Sequence, residues 1–253
     1  MLSPLPPGFL VFTDVIILHG FGPYFGMPEA SPFVMKTMIQ LELAGLEYEH
    51  RASGVAGAPA GKVPYIEDEG EVITDSTLIR RHIERKYEID LDAGLTRQLR
   101  AVAWSIEKMA EDHLYFALID LRWRDDRNFE TGPARFFDRV PMPLRALVRR
   151  IARARMKNTL HLQGTSRLPR AVVEENAGRD IDALATLLGD SGYLMGDAPT
   201  AVDGFIYGIL SNLLVPIFET GLRRRIESQT NLVAYVERMR ARFLTDVKSQ
   251  PRK

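Results

Sequence analysis

The chain has 253 residues, and its 33 lysines and arginines balance 33 aspartates and glutamates, so the formal net charge is zero. That balance argues against a general nucleic-acid binder, whose footprint is basic, and leaves local charge patterns open; the absence of cysteine excludes disulfides, thiolate metal sites and a protein thiol nucleophile. The hydrophobic fraction of 45 % is ordinary for a globular protein, and this length buries a core without covalent staples, as one large domain or two small ones.

Residues 1–13 read as a loose extension with no basic start of a signal peptide. DVIILH, residues 14–19, is a run of β-branched character and predicts a strand. A long loop rich in Gly and Pro follows, GFGPYFGMPEA, and Ser31-Pro32 opens a helix, serine as N-cap and proline at the first helical position. Gly45 closes that helix, and Leu46 to His50 alternates as a second strand. After the small-residue segment ASGVAGAPAG, two short strands meet at a turn on Glu69-Gly70, and a helix starts at Asp75, with Leu78, Ile79, His82, Ile83 and Tyr87 at helical spacing.

Strand signals then stop. Thr96 caps a long helix toward Trp123, with Leu99, Val102, Ile106, Met109 and His113 on one face. VPMP breaks the chain before an arginine-rich helix from Pro143, expected to be a solvated face, with an anion-attracting patch or a membrane-surface helix as less favoured readings. Residues 171–188 are helical through Val172, Ile181, Leu184 and Leu188. Thr200 and Asp203 have capping-box spacing before YGILSNLLVPIF, which is too short to cross a bilayer and predicts a buried helix. A last helix covers Val233 to Phe243. The map is a small mixed domain, residues 14–90, and an all-helical domain, residues 96–245. The five histidines show no metal-ligand spacing, so no metal site is expected.

Three short features carry chemistry, each with a plainer alternative. Pro64 stands at the mouth of a strand. It either starts an edge strand or sits in a cis bond that turns the Val63 backbone outward, where its N–H and C=O can pair with an extended peptide. Asp75-Ser76 is either a simple N-cap or a receptor for an α-amino acid end, since a helix N-terminus favours a carboxylate and Asp75 accepts from an ammonium. Ser31 is either a cap only or a hydroxyl donor beside a bound thiolate.

KVPYIEDEGEVITDSTLIRRHIE resembles the glutathione-binding half of the glutathione transferase superfamily, and GDAPTAVDGFIYGIL resembles the capped core helix of its second domain. ASPFVMKTMIQLELAGLEYE is similar to its first helix and second strand, and ALIDLRW, PMPLRALVRR and NTLHLQGTSR fit the branch of failed-axon-connections and metaxin-like proteins. The resemblance implies a thioredoxin-like α/β domain followed by an all-helical domain, with glutathione as co-substrate. It implies that Val63 meets the cysteinyl backbone, that Asp75 and Ser76 hold the γ-glutamyl end, that Pro64 and Lys62 complete the glutathione-binding set, and that Ser31, or Tyr24 as its competitor, activates the thiol. A small electrophile, a homodimer and a cytoplasmic location complete the expectation, with membrane association disfavoured. A non-catalytic binding or scaffold protein of the metaxin type is the alternative.

Overall fold

The computed structural model describes residues 15–55 and 57–244; the expected extension 1–13, Asp14 and the chain beyond Leu244 lie outside them. A four-stranded sheet has the order β2-β1-β3-β4, built from β1 (Ile16–Gly20), β2 (Tyr48–Ala52), β3 (Tyr65–Asp68) and β4 (Glu71–Thr74). β1 and β2 are parallel, joined by helix α1 (Pro32–Leu43), while β3 runs antiparallel to β1 and β4 antiparallel to β3. Helix α2 (Ser76–Lys86) follows. This is a thioredoxin-like domain.

β2 begins two residues later than the alternation predicts. The reason is the end of α1: Gly45 turns left-handed at φ 66°, and the Leu46 N–H reaches back to the Leu41 carbonyl at 3.0 Å, so Leu46 belongs to the helix stop. The β3–β4 turn has positive φ at both Glu69 (50°) and Gly70 (81°), the geometry that matches strand twist in a two-residue hairpin.

Asp68, at the end of β3, is buried and ties the hairpin to α2. It accepts from His82 Nε2 and Lys86 Nζ, both at 2.6 Å, and from the Tyr87 hydroxyl at 3.0 Å. Burial alone would raise its carboxyl, but Lys86, His82 and Tyr87 outweigh it and hold the group below its ordinary value of 3.8. A depressed folded pKa contributes stability above the unfolded value and loses it as the pH falls through the folded one. Asp68→Asn should therefore melt below the wild type at neutral pH, and the gap should narrow as the pH drops below 3.8, as followed by circular dichroism. A gap that stays constant through that range would refute the assignment.

The rest of the chain is helical: α3 (Arg97–Met109), a π-helical turn (Ala110–Leu114), α4 (Tyr115–Trp123), α5 (Asp126–Thr131), a 3-10 turn (Pro133–Phe137), α6 (Met142–Gln163), α7 (Arg170–Leu188), α8 (Ala201–Leu213), α9 (Gly221–Glu227) and α10 (Thr230–Phe243). α8 is buried almost throughout and is capped as its spacing predicts. The Asp203 carboxylate accepts from the Thr200 N–H at 2.8 Å, and also from the Leu194 N–H and the Tyr235 hydroxyl. α1 lies between the sheet and α8, so both its faces are covered. A Cβ on Gly208 would meet the Pro32 carbonyl oxygen at 2.9 Å and one on Gly204 the Lys36 carbonyl at 3.0 Å, so two glycines four residues apart let the backbones of α8 and α1 touch.

The expected apolar face of the long helix is corrected. Leu99 and Val102 are exposed, and the buried positions of this stretch are Ala103, Glu107, Ala110, Glu111 and Leu114. The helix is rotated because Glu107 and Glu111 turn inward to Lys36 of α1, at 3.1 and 2.8 Å, and all three side chains are buried. The π-helical turn lies at this ion cluster, where an extra residue in the helical ladder shifts the face presented to α1. Leu78 and Val172, placed on apolar faces by their spacing, are likewise exposed.

Candidate functional site

The sheet register brings the predicted residues to one edge. Tyr65, which opens β3, pairs with His19 near the end of β1, and Thr74, which ends β4, pairs with the same Tyr65. The Val63-Pro64 segment before β3, the Asp75-Ser76 segment after β4 and the loop after β1 that leads to Ser31 therefore share that edge. The Asp75 N–H donates to the Pro64 carbonyl at 3.3 Å, which closes the edge directly.

The Val63-Pro64 peptide bond is cis, and the Val63 side chain is buried in the core. Among the described residues neither the N–H nor the C=O of Val63 has a backbone hydrogen-bond partner. Asp75 has φ 74° and ψ 127°, outside the left-handed helical well and costly for a residue with a Cβ. It is fixed there by the bond to Pro64 and by its own role as N-cap of α2, with Oδ1 accepting from the Thr77 N–H at 2.9 Å. Oδ2 accepts from Lys62 Nζ at 2.8 Å. Burial pushes this carboxyl up, but Lys62 and the Thr77 amide outweigh it, so it sits below the usual carboxylate range and is charged at neutral pH. Lys62 thus stands on Asp75. A carboxylate has about four acceptor sites, so an incoming ammonium adds to this pair or displaces the exposed lysine. Ser76 is buried in the first turn of α2.

Ser31 caps α1, its Oγ accepting from the Val34 N–H at 3.4 Å. Its own N–H donates at 2.8 Å to Glu29, a residue that sequence reasoning missed. Glu29 is fully buried, and Oε1 also accepts from Phe21 N–H at 3.3 Å, while Oε2 accepts from Gly22 N–H at 2.9 Å and lies 3.0 Å from His50 Nε2. One carboxylate therefore gathers both ends of the loop onto the start of α1. The only signal in the sequence is an acid two residues before an N-cap, which is too common to single out.

The middle of that loop turns tightly. Tyr24 and Met27 exchange backbone hydrogen bonds at 3.2 and 2.9 Å, and Phe25 (φ 58°) and Gly26 (φ 78°) are both left-handed. A phenylalanine in that region is costly, and its ring is held by the helical domain, with Phe218 at 5.4 Å and Phe136 at 5.7 Å. Behind them Arg122 is buried, donating to the side chain of Asn212 at 2.9 Å and to its carbonyl, with its guanidinium 4.3 Å from the Phe218 ring. Burial pushes Arg122 down to about 9, still charged at neutral pH. Trp123 is buried in a second small core with Phe129 and Ala134, and Tyr115 packs edge-on to Phe33, so the aromatic residues late in this stretch are packing groups.

A cavity of about 810 Å³ opens between this loop and the helical domain, lined by Tyr24, Phe25, Met27, Arg135, Tyr207 and Leu214 among others. Tyr24 lines it, with its ring edge-on to Phe136 at 4.8 Å, but Ser31, Val63 and Asp75 do not. The two candidates for thiol activation thus occupy different places. Ser31 is at the helix start on the sheet edge, and Tyr24 is in the wall of the cavity.

Residues 32–128 match the family described as glutathione S-transferase N-terminal domain, and residues 177–239 match the glutathione S-transferase C-terminal domain. The chain is 31 % identical over 241 residues to the isoprene-epoxide–glutathione S-transferase of Rhodococcus sp. (strain AD45), covering 90 % of this chain and 99 % of the relative. It belongs to the glutathione S-transferase family. The family member is also 28 % identical to Failed axon connections of Drosophila melanogaster, over 92 % of this chain but 59 % of that protein, and 22 % identical to human Metaxin-2, over 86 % and 83 %. A glutathione transferase family member from Pseudomonas fluorescens with two glutathione molecules bound shares its fold, with a TM-score of 0.61 at 17 % identity over 93 % of this chain and 92 % of the other. The N-terminal match begins at Pro32, so the stretch of this transferase-family chain that holds Tyr24, Glu29 and Ser31 lies outside it.

Proposed function

We propose that this family member binds glutathione along the Val63–Asp75 edge and transfers its thiolate to a small electrophile. The observation that carries the proposal is Asp75. A charged carboxylate is held at a costly backbone conformation by a hydrogen bond to Pro64, next to a Val63 backbone with no strand partner. Such local cost persists where the surrounding structure enforces it, and it marks functional sites. Val63 offers a donor and an acceptor to the cysteinyl backbone, and Asp75 and Ser76 at the start of α2 receive the γ-glutamyl end. Ser31 keeps its hydroxyl hydrogen while its oxygen caps α1, so it can donate to the thiolate beside the helix N-terminus, and both effects lower the thiol pKa. Rate gain comes from thiolate stabilisation and orientation. A homodimer and a cytoplasmic location belong to the same proposal.

Titration calorimetry with glutathione tests binding. Asp75→Ala should weaken it by roughly tenfold or more, the worth of a hydrogen bond to a charged group; no heat from the wild type at millimolar glutathione would end the proposal. Conjugation to a generic aromatic electrophile then separates the two hydroxyls, with Ser31→Ala expected to lose turnover and Tyr24→Phe to keep it. The second reading is a glutathione-binding protein without turnover, favoured by the engagement of Ser31 Oγ as a cap and by the metaxin relatives. Binding without conjugation by the wild type would select it.

A further inference from the structure

Helix α6 carries Arg145, Arg149, Arg150, Arg153, Arg155 and Lys157, and no aspartate or glutamate over its 22 residues. Its two faces differ. Toward the body of the protein, Arg153 donates to the Trp123 carbonyl at 2.8 Å and pairs with Asp126 at 2.7 Å, Arg149 pairs with Asp138 at 2.8 Å, and Leu160 is buried. On the outer face large apolar side chains stand in solvent: Leu144 is 55 % exposed, Leu147 46 %, Ile151 50 % and Leu162 68 %. At about 100° per residue, Leu144, Ile151 and Leu162 fall within roughly 20° of one another, with Leu147 about 40° to the side. The exposed Arg155 lies on this stripe, and the exposed Arg150 and Lys157 stand together on one side of it, about 60–80° beyond Leu147. Among the described residues none of these three has a carboxylate partner.

Apolar side chains gathered on one solvent-facing side of a helix mark an interaction surface, and the cations select its partner. A second copy pairing through the same face would bring Arg150, Arg155 and Lys157 against their own kind with no acid on either helix, which a self-complementary interface does not tolerate. A nucleic acid answers the cations but leaves the leucines and Ile151 in water. An anionic lipid surface answers both, with the apolar side chains in the headgroup–acyl boundary and the long cationic stems reaching out to lipid anions. No helix among the described residues is long and apolar enough to cross a membrane, so the mode is a helix lying on the surface. We infer that the outer face of α6 docks this protein on anionic membranes.

The test is co-sedimentation of the full chain with phosphatidylcholine vesicles with and without phosphatidylserine, at low and high salt. Binding is expected only with phosphatidylserine, falling as salt screens the cations. Loss of Arg155 or Arg150 to alanine should each weaken partitioning roughly fivefold. Leu147→Glu with Ile151→Glu should abolish it while thermal melting stays that of the wild type, since both positions are exposed. Equal binding to neutral vesicles, or none to either kind, overturns the inference. So does binding of duplex DNA that the Leu147/Ile151 variant retains, or a dimer in solution that this variant dissociates.

Discussion

Lys36→Met should destabilise the protein by about 3–5 kcal/mol, the cost of removing one partner from a buried ion cluster and stranding the others. Lys36 is fully buried in α1, and Glu107 and Glu111 reach it across the contact between the sheet domain and the helices. Lys108 also bridges Glu111 and stands 3.4 Å from Glu107, so one cation remains for two carboxylates, which places the effect toward the lower end of that range. The cluster as a whole is a different matter. Its desolvation offsets most of its attraction, so Lys36→Met combined with Glu107→Leu and Glu111→Leu should recover much of the loss. Urea unfolding of the two variants measures both effects. If the single variant unfolds with the wild type, or the triple variant is worse than the single one, the cluster does not hold the helices to α1 as described.

Glu29→Ala should cost roughly 2–3 kcal/mol and remove conjugating activity. The carboxylate is the acceptor for three main-chain N–H groups, of Phe21, Gly22 and Ser31, and a buried donor left without a partner costs about 1–3 kcal/mol. The sum is discounted because a loop can relax toward water. Activity should suffer more than stability, because the groups released are the ones that position Ser31 and the turn carrying Tyr24. Glu29→Gln is the informative companion. Its single carbonyl oxygen can still serve Phe21 and Ser31, but its amide then points a donor at the Gly22 N–H, so it should fall between wild type and alanine. Melting temperature and turnover of the three proteins give the ranking. Wild-type turnover in Glu29→Ala would show that the loop is held by something else, with the rings of Phe25, Phe136 and Phe218 as the remaining anchor.

Much of the fold was legible from residues close together in the chain. Ser31-Pro32, Glu69-Gly70, Asp75-Ser76 and Thr200 with Asp203 each state a local backbone geometry in two to four residues, and each stands where its chemistry required. Because those signals sit at strand and helix ends, they also marked the edge where the candidate site lies. Short elements such as α5 and α9 were not legible, since six or seven residues carry no period. Faces were misread where polar groups are buried. Leu99 and Val102 outweigh Glu107 and Glu111 by hydropathy, yet the acids face inward because their cation is 71 and 75 residues away in α1.

The sequence alone therefore determined the family, the order of the strands and of the longer helices, and the residues at the caps and turns named above, because these depend on neighbours along the chain. Tertiary structure decided that Glu29 gathers the loop, that Lys36 turns α3, that Lys62 rests on Asp75 and that α6 shows its leucines to solvent. Each of those depends on which distant groups share one low-dielectric or solvated environment, and no spacing within a single segment encodes that.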